Sequence, residues 1–216
     1  LAQYFANGKK PLVLVGHSKG GHEILLLAMK RPEIFKYVRA VVLVQGAVLG
    51  SPIADAHTKL CVAGVIPNPI QGAAAIACSA LTFWGGAGLS AMKTRTAEAL
   101  MTDARDTMRA RQAALVSNRV FYVIGSREDG FSPFMAINFA LLRRLYPGVP
   151  SDGVLPIDKQ TLPGVGQELG RMVTDHAQLV TGAVVQGLPA ISTSSVQYRQ
   201  AFGYALFRQL AHAIDG

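Results

Sequence analysis

Cysteine is scarce. Cys61 and Cys78 are the only two in 216 residues, too few for a disulfide scaffold, and neither stands at metal-ligand spacing from a histidine. That leaves the redox compartment open. Charge is thin too, at 16% of residues against 50% apolar, which excludes a disordered chain and indicates one packed domain over residues 1–216. Acidic residues are the scarcer sign, 13 against 21 basic, for a net charge of +8. The excess is dispersed, in doublets such as Lys9-Lys10, Lys30-Arg31 and Arg143-Arg144 without interleaved aromatics. It reads as a solvated surface, and no nucleic acid is expected as partner. Internal repeats and low-complexity stretches are lacking. So are the glycine spacing of a dinucleotide site and any His/Asp cluster suited to a metal, so no cofactor and no metal are expected. The chain opens on Leu1 rather than Met and is in an apolar run by Pro11. It is therefore expected to be a piece whose upstream part, with any signal peptide, is absent.

What is present alternates between strand-like and helix-like segments. Pro11-Leu12-Val13-Leu14-Val15 is short, branched and apolar, the pattern of a central parallel strand buried on both faces. A helical run over residues 22–30 follows and ends at Arg31-Pro32, since the residue before proline is pushed out of helical space. Residues 40–44 and 119–124 are two further buried strands, and the less apolar residues 168–174 suit a fourth nearer an edge. Residues 194–214 predict a closing helix, with Val196, Phe202, Leu206 and Leu210 at near-helical spacing and possible N-caps at 192–195.

Between the second and third strands, residues 60–92 hold no charged side chain. A membrane span needs about 20 apolar residues. Gly64, Pro67, Asn68, Pro69, Gln71 and Gly72 break the first part, and the compact remainder, residues 73–84, is too short. The stretch reads as a buried or half-buried helix of a cap inserted at about 53–118, followed by an amphipathic helix over residues 92–118. Phe83 and Trp84 within it suggest a greasy cap suited to acyl chains.

Gly16-His17-Ser18-Lys19-Gly20 is a G-x-S-x-G element set between a strand and a helix. A nucleophilic serine needs a sharp strand-to-helix turn that lifts its hydroxyl into the open, with glycines two before and two after to avoid clashes. The backbone N–H of Lys19, at the helix N-terminus, would face the developing oxyanion. The serine also needs a base and an orienting carboxylate, in chain order Ser, Asp/Glu, His. Of five histidines, His17 and His22 read as packing or supporting groups. His57 lies at the entry to the cap and His212 on a solvent face of the last helix. His176, after the fourth strand, is the expected base. Asp129 and Asp152 are both candidates for the acid, and each stands in an Asp-Gly turn.

Four stretches resemble the bacterial lipase and esterase branch of the α/β-hydrolase superfamily, in particular a group with S-K-G at the serine turn. They are V-G-H-S-K-G-G from Val15, G-A-V-L-G-S-P-I-A-D from Gly46, S-D-G-V-L-P from Ser151, and D-H-A from Asp175. The resemblance implies an α/β-hydrolase fold, a mostly parallel sheet flanked by helices with a helical cap, whose N-terminal strands are absent from this sequence. It implies Ser18, Asp152 and His176 as the triad, with Asp129 a loop residue before a substrate-side helix starting near Ser132-Pro133. Ser151 stands where the family more often has Asn, and the H-G-type loop that supplies the second oxyanion donor is not in the sequence. The implied activity is hydrolysis of carboxylic esters, with a small-molecule ester or lipid as substrate and transient contact with a lipid interface. The same fold also serves non-catalytic binding proteins, and the same triad serves thioesterases, amidases and acyltransferases.

Overall fold

β-Branched and aromatic residues favour extended backbone, and they concentrate in three segments that pair side by side, with a fourth, more polar segment alongside. In the computed structural model, residues 12–57, 119–127, 133–176 and 192–215 are described. Strands β1 (Leu12–His17), β2 (Val38–Val44), β3 (Val120–Ser126) and β4 (Gln167–Val173) form one parallel sheet in the order β1-β2-β3-β4. Among the described residues four α-helices accompany them: α1 (Lys19–Lys30), α2 (Pro52–His57), α3 (Pro133–Leu145) and α4 (Ser192–Asp215). The parallel sheet flanked by helices is the α/β-hydrolase architecture that the sequence implies.

The alternation of side chains along each strand divides the core in two. One face collects Val41, Leu43, Val120, Tyr122 and Ile124 with Leu25 and Ala28 of α1. The other collects Ala40, Val42, Val44, Phe121 and Val123 with Leu206 and Leu210 of α4. Each such large aliphatic side chain taken out of water is worth about 1.5–3 kcal/mol. Helix α1 stops where proline requires: Arg31 leaves helical space at φ −138°, its N–H donates to Leu27 O at 2.8 Å, and a short 3-10 turn covers Pro32–Tyr37.

The described residues leave one side of β1 without a neighbouring strand, and they test the expectation of a central strand no further. On β1, Val13 is 38% and Val15 51% exposed. Val13 pairs with Ala40 and Val15 with Val42, so both lie on the α4 face. The described residues of α4 pack over β2 and β3 and do not reach β1. A run of apolar residues reports that a strand suits burial, not which neighbours cover it. Among the described residues β4 is the opposite edge, as expected, and Val173 is 80% exposed.

Residues 58–118, which include most of the expected cap together with Cys61 and Cys78, lie outside the described residues, as does Asp129. Among the described residues no helix is long and apolar enough to cross a membrane.

Candidate active site

Every group of interest lies at the carboxyl end of the parallel strands, where open α/β sheets bind ligands. Ser18 follows β1, Gln45 follows β2, the loop carrying Asp152 follows α3, and His176 follows β4.

Ser18 sits between β1 and α1 with φ 55° and ψ −125°, a strained geometry for a residue with a side chain. The surroundings hold it there. Its N–H donates to Val44 O at 3.2 Å, and its carbonyl accepts from Gly21 N at 3.1 Å and Ala47 N at 2.9 Å. The turn is so tight that a Cβ on Gly16 would lie 2.7 Å from the Gly20 carbonyl carbon and the Gly21 nitrogen. The second glycine of the motif behaves otherwise, which corrects the sequence reading: a Cβ on Gly20 would meet nothing within 4 Å. The steric demand falls on Gly16. The first residue of α1 is Lys19, whose side chain pairs with Glu23 one turn along.

The Ser18 hydroxyl donates to His176 Nε2 at 2.7 Å, and His176 Nδ1–H donates to Asp152 Oδ2 at 2.8 Å. The directions follow from chemistry. The carboxylate only accepts, so Nδ1 carries the proton and Nε2 is left with the lone pair that receives the hydroxyl. Asp152 is fully buried, and each of its oxygens is occupied. Oδ1 accepts from Val154 N at 2.9 Å and Leu155 N at 2.7 Å, and Gln160 Nε2 lies 3.5 Å from Oδ2. Ser51 ties in the neighbouring loop by donating to Val154 O at 2.8 Å. A hydroxyl in series with an imidazole and a carboxylate can lose its proton to the ring as it attacks an electrophile.

The other histidines separate as follows. His17 lies beside His176, ring centroids 4.7 Å apart, and donates from Nε2 to the His176 carbonyl oxygen at 2.8 Å. Burial, and then the adjacent His176 ring, push its pKa down to about 3, so it is neutral. His22 is buried with Nδ1 3.4 Å from Val48 O, and burial lowers its pKa as well. The backbone of His57 ends α2, and His212 is exposed on α4. Among the described residues no group of three or more His, Cys, Asp or Glu could hold a metal ion.

Two glutamines escape the sequence reading. Gln160, 1% exposed, bonds both backbone groups of Gly125: its Oε1 accepts from Gly125 N at 2.9 Å and its Nε2 donates to Gly125 O at 2.8 Å. Gln45 is fully buried and donates from Nε2 to Asp175 O at 3.1 Å. Its φ is 44°. Among the described residues only Ser18 and Gln45 hold positive φ without being glycine. Such strain costs on the order of 1–3 kcal/mol and persists only where the surroundings impose it.

The family described as "Putative esterase" matches residues 1–144. No curated protein matches the chain. Among solved structures, a metagenomic carboxyl esterase is 21% identical with a TM-score of 0.64, over 94% of this chain and 56% of its own. A lipase of Bacillus licheniformis in its mature form is 18% identical with a TM-score of 0.58, over 81% of this chain and 62% of its own. The chain thus spans less than two thirds of the length of either, and at these identities the likeness is one of fold. With two thirds of its residues under the family match and an α/β-hydrolase sheet beneath them, the chain belongs to this esterase family.

Proposed function

We propose that the protein hydrolyses carboxylic esters through an acyl-enzyme on Ser18. The observation that carries the reading is the unbroken series from Ser18 Oγ through the His176 ring to the buried Asp152 carboxylate, 2.7 Å and 2.8 Å at its two links. His176 takes the hydroxyl proton as Oγ adds to the ester carbonyl, then returns it to the leaving alcohol. Water repeats the sequence to release the acid. Asp152 fixes the ring tautomer and stabilises the imidazolium. The Lys19 N–H, at the open end of α1, receives the oxyanion. One such donor is worth about 3 kcal/mol in the transition state.

We assign the substrate to esters of hydrophobic acids. Support comes from the uncharged sequence at residues 60–92, and from a lipase and a carboxyl esterase among the structures of similar fold. In the same reading the chain is one domain with a helical cap at about 53–118 that contacts lipid interfaces. A binding protein on the same fold would not need the series intact.

The reading is tested by p-nitrophenyl ester hydrolysis with the full-length protein and its Ser18→Ala variant. Turnover by the wild type and background rates for the variant are expected; equal rates for both would reject it. Comparing soluble short-chain with emulsified long-chain esters tests the acyl preference.

A further inference from the structure

We propose that Gln45 and His17 are positioning residues that clamp the His176 loop by its carbonyl oxygens. This rests on the ester-hydrolase reading above. The loop after β4 must hold an imidazole between Ser18 and Asp152. Four bonds tie its backbone to the rest of the fold: Thr174 N–H donates to Ser126 O at 3.1 Å, and the other three reach Asp175 and His176. Asp152 O accepts from His176 N at 2.8 Å, Gln45 Nε2 donates to Asp175 O at 3.1 Å, and His17 Nε2 donates to His176 O at 2.8 Å. Two of these three come from side chains, His17 at the end of β1 and Gln45 just after β2.

Each side chain shows a feature that packing alone leaves unexplained. Gln45 holds a left-handed backbone, φ 44°, where glycine is the unstrained choice, and it is followed directly by Gly46. With no side chain at position 45, Asp175 O would keep only the Thr174 hydroxyl, 3.2 Å away within the same loop, and lose its tie to the rest of the fold. The space for the carboxamide is reserved as well: a Cβ on Gly125 would lie 2.1 Å from Gln45 Nε2.

His17 adds a ring contact. Its imidazole lies against His176 at 4.7 Å and 41°, close enough that a charge on both rings would repel. Its neutrality, maintained by burial, lets His176 become imidazolium during the reaction without a cation beside it. The clamp therefore fixes the position of the base while adding no charge.

The test measures kcat, KM and the pH–kcat profile of the full-length protein, with rates scaled to the folded fraction. The variants are Gln45→Met, which keeps the length without the donor, His17→Phe, which keeps a ring without the donor, and His17→Gln, which restores an N–H. Misplacing a catalytic group by about 1 Å costs about 100-fold. The clamp predicts kcat losses of about 10- to 100-fold in Gln45→Met and His17→Phe, with KM within about twofold. It also predicts that the acid limb moves to lower pH, because a loosened Asp152 pairing stabilises the imidazolium less. His17→Gln should recover most of the loss. Wild-type kcat and acid limb in the folded variants would overturn the clamp, as would a kcat loss that leaves the acid limb unmoved and is not rescued by glutamine. Fluorophosphonate labelling separates this from failure of the underlying reading: a wild type that is not labelled at Ser18 rejects the hydrolase itself, whereas a labelled wild type with unaffected variants rejects only the clamp.

Discussion

His176 is joined to Asp152 twice. Its ring Nδ1 donates to the carboxylate at 2.8 Å, and its backbone N–H donates to the Asp152 carbonyl at 2.8 Å. The second bond holds the two loops together whatever the side chains do, so the ring and the carboxylate meet with little left to chance. The two can therefore be perturbed separately.

Asp152→Asn keeps an oxygen for the Val154 and Leu155 N–H groups and leaves the backbone bond intact. What changes is the acceptor for His176 Nδ1–H. An amide nitrogen facing the ring forces the wrong tautomer, and in serine triads this lowers kcat by about 10⁴-fold. The expected result is a loss of that order in ester hydrolysis, with KM nearly unchanged and a circular-dichroism spectrum like the wild type.

Acid stability follows from His17. Unfolded, its imidazole takes up a proton near pH 6.5; folded, burial and the neighbouring His176 ring delay that to about 3. Between those values the unfolded state binds more protons, so stability is complete above pH 6.5 and falls as the pH drops towards 3. The slope is at most about 1.4 kcal/mol per pH unit for one histidine. His22, its pKa also lowered chiefly by burial, adds in the same direction. Urea unfolding at pH 7, 6 and 5 measures the slope, and His17→Gln should reduce it by one proton's worth.

The serine turn makes an asymmetric demand on its glycines. Gly16→Ala places a methyl 2.7 Å from the backbone of Gly20 and Gly21, so the turn must open. A loss of about 100-fold or more in activity is expected, with destabilisation of about 1–3 kcal/mol. Gly20→Ala meets nothing within 4 Å and should stay within about 0.5 kcal/mol of the wild type. Thermal melts and initial rates of the two variants check the contrast.

Gln160 stabilises from behind the acid. Gln160→Leu removes the side-chain partners of both Gly125 backbone groups inside the protein, while Leu155 O keeps the Asp152 N–H. Each buried polar group left unpaired costs about 1–3 kcal/mol, so a total destabilisation of about 2–4 kcal/mol is expected in urea unfolding.

The parts of this site that were legible in the sequence are those encoded locally. The turn at Ser18 could be read because a strand, two glycines and a helix stand next to one another within a few residues. Three strands were legible from their apolar runs and the less apolar β4 from its place late in the strand–helix alternation, each to within a few residues of its ends. What covers Val13 and Val15 was not, because that depends on segments far along the chain. His176 was legible from its place after the fourth strand, although its bond to Ser18 joins positions 158 apart, but choosing Asp152 over Asp129 required a family resemblance. Gln45 gave no sign at all. Its bond to Asp175 O spans 130 positions, and its positive φ contradicts what a glutamine would suggest.

Exposure of the full-length protein to a fluorophosphonate, followed by intact mass and peptide mapping, is the most direct measurement. The account predicts one phosphonyl adduct, on Ser18, abolished by Ser18→Ala and slowed strongly by His176→Ala. An unmodified folded protein, or an adduct on another residue that persists in Ser18→Ala, would contradict it.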